Sequence, residues 1–251
     1  LDRRQETFKS EALFSKYVAV RDGTKLAVDI HIPVARNQKV KFPAIIIFTP
    51  YYRRFALSDD ASEDVEACPT IAFYRDIFVP RGYVLVCVDV RGSGASFGFR
   101  DGFRSPQERL DHYDIVNWVS QQDWCDGNIG ATGISYPGAA ADFLASTNHP
   151  NVKAVAPLFA VWDTWMNHLY PGGVLLNCVT NRYGQLAVSL DQDRRDLIPP
   201  FAYFKCDQLL GPASVDEDPE RVYLKEALKE HSANVTNNTI NLPTNVIRVQ
   251  T

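Results

Sequence analysis

The residue of this chain best placed to do chemistry is a serine in Ile129-Gly130-Ala131-Thr132-Gly133-Ile134-Ser135-Tyr136-Pro137-Gly138. An apolar stretch that reads as a strand precedes it. Small apolar residues over 136–146 that read as a buried helix follow it. A serine on such a strand-to-helix corner is a nucleophile elbow, in which a strained backbone pushes the hydroxyl out over the sheet. Gly133 and Gly138 have to be small because strand and helix pack closely there. The Tyr136 N–H opens the helix, where unpaired amides and the helix dipole favour an oxyanion. The common form of the pattern has glycine at the position of Pro137, with Gly138 one place later than expected. An incidental serine in an ordinary turn is the competing reading, and the strand before it and small-residue helix after it weigh against that.

Four further stretches carry a resemblance. They are Arg21-Asp22-Gly23-Thr24-Lys25-Leu26-Ala27-Val28-Asp29; Thr49-Pro50-Tyr51; Asp89-Val90-Arg91-Gly92-Ser93-Gly94-Ala95-Ser96-Phe97-Gly98; and Trp124-Cys125-Asp126-Gly127-Asn128-Ile129-Gly130. In type, order and spacing they and the elbow resemble the cocaine-esterase-like (CocE/NonD) hydrolases. These are α/β-hydrolases related to X-Pro dipeptidyl-peptidases and α-amino acid ester hydrolases. The family's elbow looks like Gly-x-Ser-Tyr-x-Gly, which Pro137 satisfies. The resemblance is strong over about residues 17–173, thinner beyond, and fades after His231.

The resemblance implies a serine hydrolase that cleaves a small-molecule ester or amide through an acyl-enzyme on Ser135, without metal or organic cofactor. The alternatives are an X-Pro dipeptidyl-peptidase, which would need an acidic pocket for the substrate amine, and a truncated, non-catalytic fragment of the fold. It also implies that the Tyr51 hydroxyl joins the Tyr136 amide on the oxyanion; Tyr52 is the neighbour most easily confused with it. Serine needs a base and the base an orienting carboxylate, in the order Ser, acid, His. After Ser135 the chain offers His149, beside Pro150 at a helix end, and His168 and His231 in the cap region. The expectation is therefore that the catalytic Asp and His lie outside these residues, in the remainder of the protein's own chain.

Other residues invite a role. Arg91, Gly92 and Gly94 lack the full phosphate-loop pattern and are read as shaping a loop beside the site. Asp111, His112 and Asp114 are read as solvated or capping residues on a surface helix. Trp162, Trp165 and Tyr170 are candidates to line an acyl pocket, with plain core packing as the equal alternative. Asp163 could hold a substrate amine by its location alone.

These residues need a scaffold. Residues 17–20 and 25–33 alternate about a turn at 21–24 and read as a hairpin of half-buried antiparallel strands. The apolar runs 44–48 and 83–90 read as strands covered on both faces. Residues 70–79, 108–121 and 136–146 read as helices, 126–128 as a turn, and 129–134 and 152–157 as short strands. Alternating strands and helices argue for a parallel α/β sheet; the resemblance implies that it is an α/β-hydrolase fold, mostly parallel and incomplete in this chain, over residues 1–160. After Ala160 the pattern changes to helices with aromatic faces and a helix over 217–231 opened by Asp218-Pro219; the resemblance implies that residues 161–251 are a helical cap region, truncated here.

The totals agree. In 251 residues, 45% hydrophobic and 22% charged, there is material for a full α/β core. A net charge of −4 argues against a nucleic-acid surface. No apolar run reaches the roughly 18 residues of a membrane span. The first residue is Leu1 and no signal peptide is visible. The five cysteines are odd in number and scattered, which points to a reducing, cytoplasmic setting.

Overall fold

The structure, a computed structural model, describes residues 5–9, 11–35, 40–102, 105–161, 163–198 and 207–234. The two continuous apolar runs become β3 (Phe42–Thr49) and β5 (Val84–Asp89), hydrogen-bonded in parallel with Ile46 opposite Val86. Around them lie β1 (Glu11–Ala19), β2 (Lys25–Pro33), β6 (Cys125–Ile134) and β7 (Val152–Leu158), in the order β1-β2-β5-β3-β6-β7. β1 and β2 form the expected antiparallel hairpin, and β2 joins β5 antiparallel. The pairings of β3 with β6 and of β6 with β7 are parallel. A separate antiparallel pair joins β4 (Phe55–Leu57) to β8 (Leu209–Pro212).

Helices cover both faces, as continuous apolar strands require. On one face Ile71 and Tyr74, at α1 (Ala72–Phe78), pack on Ile47, Leu85 and Cys87. On the other, Ile115, Val116 and Val119 of α2 (Pro106–Ser120) and Ala140, Ala141 and Leu144 of α3 (Tyr136–Ser146) pack on Ile46, Phe48, Val86 and Val88. Each large aliphatic side chain so buried contributes roughly 1.5–3 kcal/mol. The chain leaves β3 for β5 on one side and reaches β6 on the other. β3 is thus the topological switch, and the crevice beyond its carboxyl end is where an α/β sheet accepts ligands. This is the α/β-hydrolase type of sheet.

Three local expectations change. β2 is buried on both faces, Asp29 and His31 included, because arginines from the loop after β3 satisfy its polar side. The 126–128 turn lies inside β6, as an Asx turn in which the Asn128 N–H donates to Asp126 Oδ1 at 2.8 Å. The last helix, α5 (Val222–Glu230), starts later than 217. Asp218 still caps it, its carboxylate accepting the N–H groups of Val222, Tyr223 and Leu224.

After β7 come a π-helical turn (Thr164–Leu169), a 3-10 turn (Pro171–Gly173) and α4 (Asn177–Asp191). Leu186 and Leu190 of α4 pack on Tyr52 and Phe55. Leu224 of α5 packs with Val215 on Tyr17, Ala27 and Ala95. No helix among the described residues is long and apolar enough to cross a membrane.

Candidate active site

The corner between β6 and α3 has the backbone that the sequence demands. Ser135 sits at φ +64°, ψ −120°, and its side chain is exposed. An L-residue held there stores on the order of 1–3 kcal/mol, a cost that survives only where the surroundings fix it. Here the Ser135 N–H donates to the Leu158 carbonyl at 3.0 Å, and the Ser135 carbonyl accepts from the Ala139 N–H at 3.0 Å. The hydroxyl makes no capping bond to α3. Both glycines are explained by contact. A Cβ on Gly133 would lie 2.3 Å from Pro137 Cβ, and one on Gly138 would lie 2.5 Å from the Leu158 carbonyl oxygen.

Tyr51 follows β3 and Ser135 follows β6, neighbouring parallel strands, so both stand at the same carboxyl edge at the switch point. The Tyr51 ring meets the Tyr136 ring edge-on, centroids 6.3 Å apart. Its hydroxyl lies 3.2 Å from the Tyr183 hydroxyl of α4. Tyr136 turns its side chain inward, where its hydroxyl donates to Glu108, with both carboxylate oxygens at 2.7 Å. Its backbone N–H stays at the first turn of α3. Tyr52, at φ +64°, is buried and donates its hydroxyl to the Leu190 carbonyl at 2.5 Å. It anchors α4.

The loop that carries Tyr51 is fastened by Arg53, whose side chain is fully buried. Its Nη1 donates to Asp89 Oδ2 at 3.0 Å and to the Ala213 carbonyl at 2.9 Å. Its Nη2 donates to Ser15 Oγ at 3.0 Å and its Nε lies 2.8 Å from Asp29 Oδ1. Arg54 Nε donates to the other Asp29 oxygen at 2.9 Å. Burial pushes both carboxyls up. At Asp29 the charges of Arg53 and Arg54 outweigh it and hold the group below its ordinary value; at Asp89 burial wins.

α2 is exposed along one side, at Tyr113 and Asn117, with Asp114 partly exposed, but not all of its polar residues lie there. Glu108, Asp111 and His112 are buried on α2. Asp111 takes a two-pronged bond from Arg91, at 2.8 and 2.7 Å, and this fixes the loop after β5, as expected of Arg91. His112 stacks on Phe48 at 3.7 Å between centroids, and burial pushes it down to about 3. Asp114 pairs with Arg21 at 2.7 Å. Buried polar residues mimic an exposed face when their partners come from elsewhere in the chain.

Of the remaining candidates, Trp165 and Tyr170 are half-buried and stack on each other, centroids 3.9 Å apart. Trp162 lies outside the described residues. Asp163 accepts the Met166 N–H at 2.8 Å and so caps the turn that follows it. His231 is buried between the carbonyls of Asp191 (3.2 Å) and Ser96 (2.7 Å). His149 is buried at the end of α3 and accepts the Asn151 N–H at 3.2 Å. His31 is buried on β2, 3.2 Å from Glu11.

Sequence reasoning missed Glu108, Tyr183 and Arg100. Glu108 stands three residues after the helix cap Ser105, whose hydroxyl accepts the Glu108 N–H, so its spacing matches a capping box. Arg100 grips both Asp191 oxygens at 2.5 Å, and its charge reaches Tyr136 and Tyr183. No motif marks it or Tyr183.

Comparison with known proteins bears on the family and the fold. The model of the X-Pro dipeptidyl-peptidase (S15) family matches residues 22–251. A provisionally named serine esterase of Mycobacterium bovis is 34% identical over 228 residues, covering 88% of this chain and 36% of the relative. The cocaine esterase of a Rhodococcus species is 34% identical over 161 residues, 63% of this chain and 25% of that one. Among solved structures, a CocE/NonD family hydrolase from Staphylococcus aureus superposes with a TM-score of 0.61 at 26% identity, over 74% of this chain and 34% of its own. The chain thus spans about a third or less of these relatives' length.

Proposed function

Because the chain belongs to the X-Pro dipeptidyl-peptidase (S15) family, we propose that it supplies the nucleophile and the oxyanion donors of a serine hydrolase acting on small acyl esters or amides. The observation that carries this reading is the exposed Ser135 at φ +64°, on a strand-to-helix corner beside the Tyr51 loop.

Ser135 Oγ attacks the acyl carbonyl carbon and gives its proton to an imidazole. The carbonyl π electrons move to oxygen, and that oxyanion is met by the Tyr136 N–H and the Tyr51 O–H. As the tetrahedral intermediate collapses, the alcohol or amine leaves with the proton from the imidazolium. Water, deprotonated by the same imidazole, then frees the acid and restores the serine. His31, His112, His149 and His231 are buried, and His168 lies half-buried in the π-helical turn at 164–169; in this reading the base is a histidine beyond the described residues, as the family resemblance implies. A donor pair of this kind is worth having: losing one oxyanion donor costs on the order of 10²–10³ in kcat. An X-Pro dipeptidyl-peptidase would need an acidic pocket for the substrate amine; the relatives named serine esterase and cocaine esterase favour the ester. The buried free thiols Cys68, Cys87 and Cys125 suit a cytoplasmic setting.

Treating the full-length protein with a fluorophosphonate and mapping the adduct by mass spectrometry tests the reading. Modification of Ser135 is expected. A folded protein that stays unlabelled would overturn it in favour of a non-catalytic member of the fold.

A further inference from the structure

The Asp89 carboxylate is buried at the end of β5 and holds two loops at once. Its Oδ1 accepts the Arg53 N–H at 2.6 Å, from the loop after β3 that carries Tyr51. Its Oδ2 accepts the Ala95 N–H at 2.9 Å, from the loop after β5, and also the bond from Arg53 Nη1. The sense of both main-chain bonds is fixed, since an amide N–H donates and the carboxylate oxygen facing it accepts. Gly94 shows how closely the second loop is drawn in: it stands at φ +56°, and a Cβ there would run into the carboxylate.

What these bonds restrain is a strained turn. Tyr52 stands at φ +64°, a conformation that a bulky residue keeps only where its surroundings dictate it. On one side the Tyr51 N–H donates to Thr49 Oγ1 at 3.0 Å. On the other the Arg53 N–H is taken by Asp89. Thr49 and Asp89 face each other across β3 and β5, and both are fully buried. The strained step is therefore gripped at each end by a side chain from the end of the sheet. Without the Asp89 grip, Tyr52 is free to relax toward negative φ and to carry Tyr51 away from the corner at Ser135. An oxyanion donor tolerates little of this, because a misplacement of about 1 Å can cost on the order of 10²-fold in rate.

We propose that Asp89 is a positioning residue for the hydrolase reaction, whose carboxylate fixes the turn at Tyr52 and with it the place of Tyr51 at the oxyanion. The inference rests on the serine-hydrolase reading above. Asparagine cannot substitute. With one acceptor oxygen it takes only one of the two amides and turns an NH₂ donor toward the other.

Hydrolysis of a p-nitrophenyl acyl ester by the full-length protein tests this. The rate is expressed per Ser135 that a fluorophosphonate titrates, so that unfolded molecules do not count. Asp89→Asn is expected to lower kcat per titrated site about tenfold, a fraction of the loss from removing an oxyanion donor outright, with KM nearly unchanged. Tyr51→Phe/Asp89→Asn is expected to be no slower than Tyr51→Phe alone, since Asp89 acts through Tyr51. A purely structural Asp89 would reduce the titratable fraction and leave kcat per site at the wild-type value. That result, or losses that multiply, overturns the proposal. Should Asp89→Asn fold poorly, an ester in place of the Arg53 amide, introduced with the α-hydroxy analogue of arginine, removes the N–H and keeps both side chains. Its kcat per site is expected to fall in the same way, and a wild-type value overturns the proposal. An unlabelled wild type sinks the hydrolase assignment, whereas a labelled wild type with Asp89→Asn at full kcat per site sinks this inference alone.

Discussion

Tyr136 gives its backbone N–H to the mouth of the elbow and its hydroxyl to Glu108, with both Glu108 oxygens at 2.7 Å in a buried contact. One residue therefore has an amide at the corner and a side chain locked into the core beneath it, and α2 is coupled to α3 through that lock. Removing the hydroxyl leaves a buried carboxylate short of a partner. Tyr136→Phe is expected to lose about 1–3 kcal/mol in urea denaturation. Glu108→Gln, which keeps an acceptor for the phenol, is expected to lose less. Equal losses would show that the bond is not what the pair contributes.

The strained corner predicts an unusual ranking at the nucleophile itself. Ser135→Gly relieves a positive φ that Ser135→Ala keeps. The glycine variant is expected to be more stable than the alanine variant by about 1 kcal/mol, read as a higher Tm, while both lose fluorophosphonate labelling. An alanine variant as stable as the glycine one would mean that the corner carries no strain.

Arg53 is the sole cation between Asp29 and Asp89 whose side chain is fully buried among the described residues. Arg53→Met should cost about 3–5 kcal/mol at neutral pH, because it leaves buried carboxylates uncompensated. The pH dependence fixes the sign. Asp29 is held below its ordinary value in the wild type, so its contribution is present above the unfolded carboxyl range and is lost as pH falls. Without Arg53 the carboxyls are pushed up, and acidification should narrow the gap between variant and wild type. Urea midpoints at pH 7 and pH 5 decide it; a gap that widens at pH 5 would contradict the assignment.

His112 gives a second pH signature. Burial holds it down to about 3 from an ordinary 6.5, so the unfolded chain takes up a proton below pH 6.5 that the folded one refuses. Its stability cost is absent above that pH and grows as pH falls toward 3, by at most ~1.4 kcal/mol per unit. His112→Leu, which keeps an apolar contact on Phe48, should flatten the fall in stability between pH 6.5 and 5. An unchanged acid limb would place the proton uptake elsewhere.

How much of this was readable in the sequence depends on where each residue's partner lies. The elbow was legible because its glycines and serine encode a backbone path within ten residues. The strands β3 and β5 were legible because two-sided burial leaves an unbroken apolar run. Asp29, Asp111 and His112 were not, since alternation and helical spacing cannot distinguish a polar residue facing water from one facing a distant arginine, as Asp29 and Asp111 do, or an aromatic ring, as His112 does. The partner of Asp29 is Arg53, and that of Asp111 is Arg91. Glu108 was hidden behind a plausible local role as part of a helix cap. Tyr183 had no signal, because its meaning exists only when α4 comes to rest against the loop after β3.

The bond from Arg53 to the Ala213 carbonyl spans 160 residues of chain. A contact so remote closes late, after the nearer strands have paired. While a ribosome has delivered the corner at Ser135 but not yet residue 213, the tyrosine loop lacks one of its fastenings. The nascent polypeptide would then carry the Ser135 corner before the loop that bears Tyr51 had its full set of fastenings.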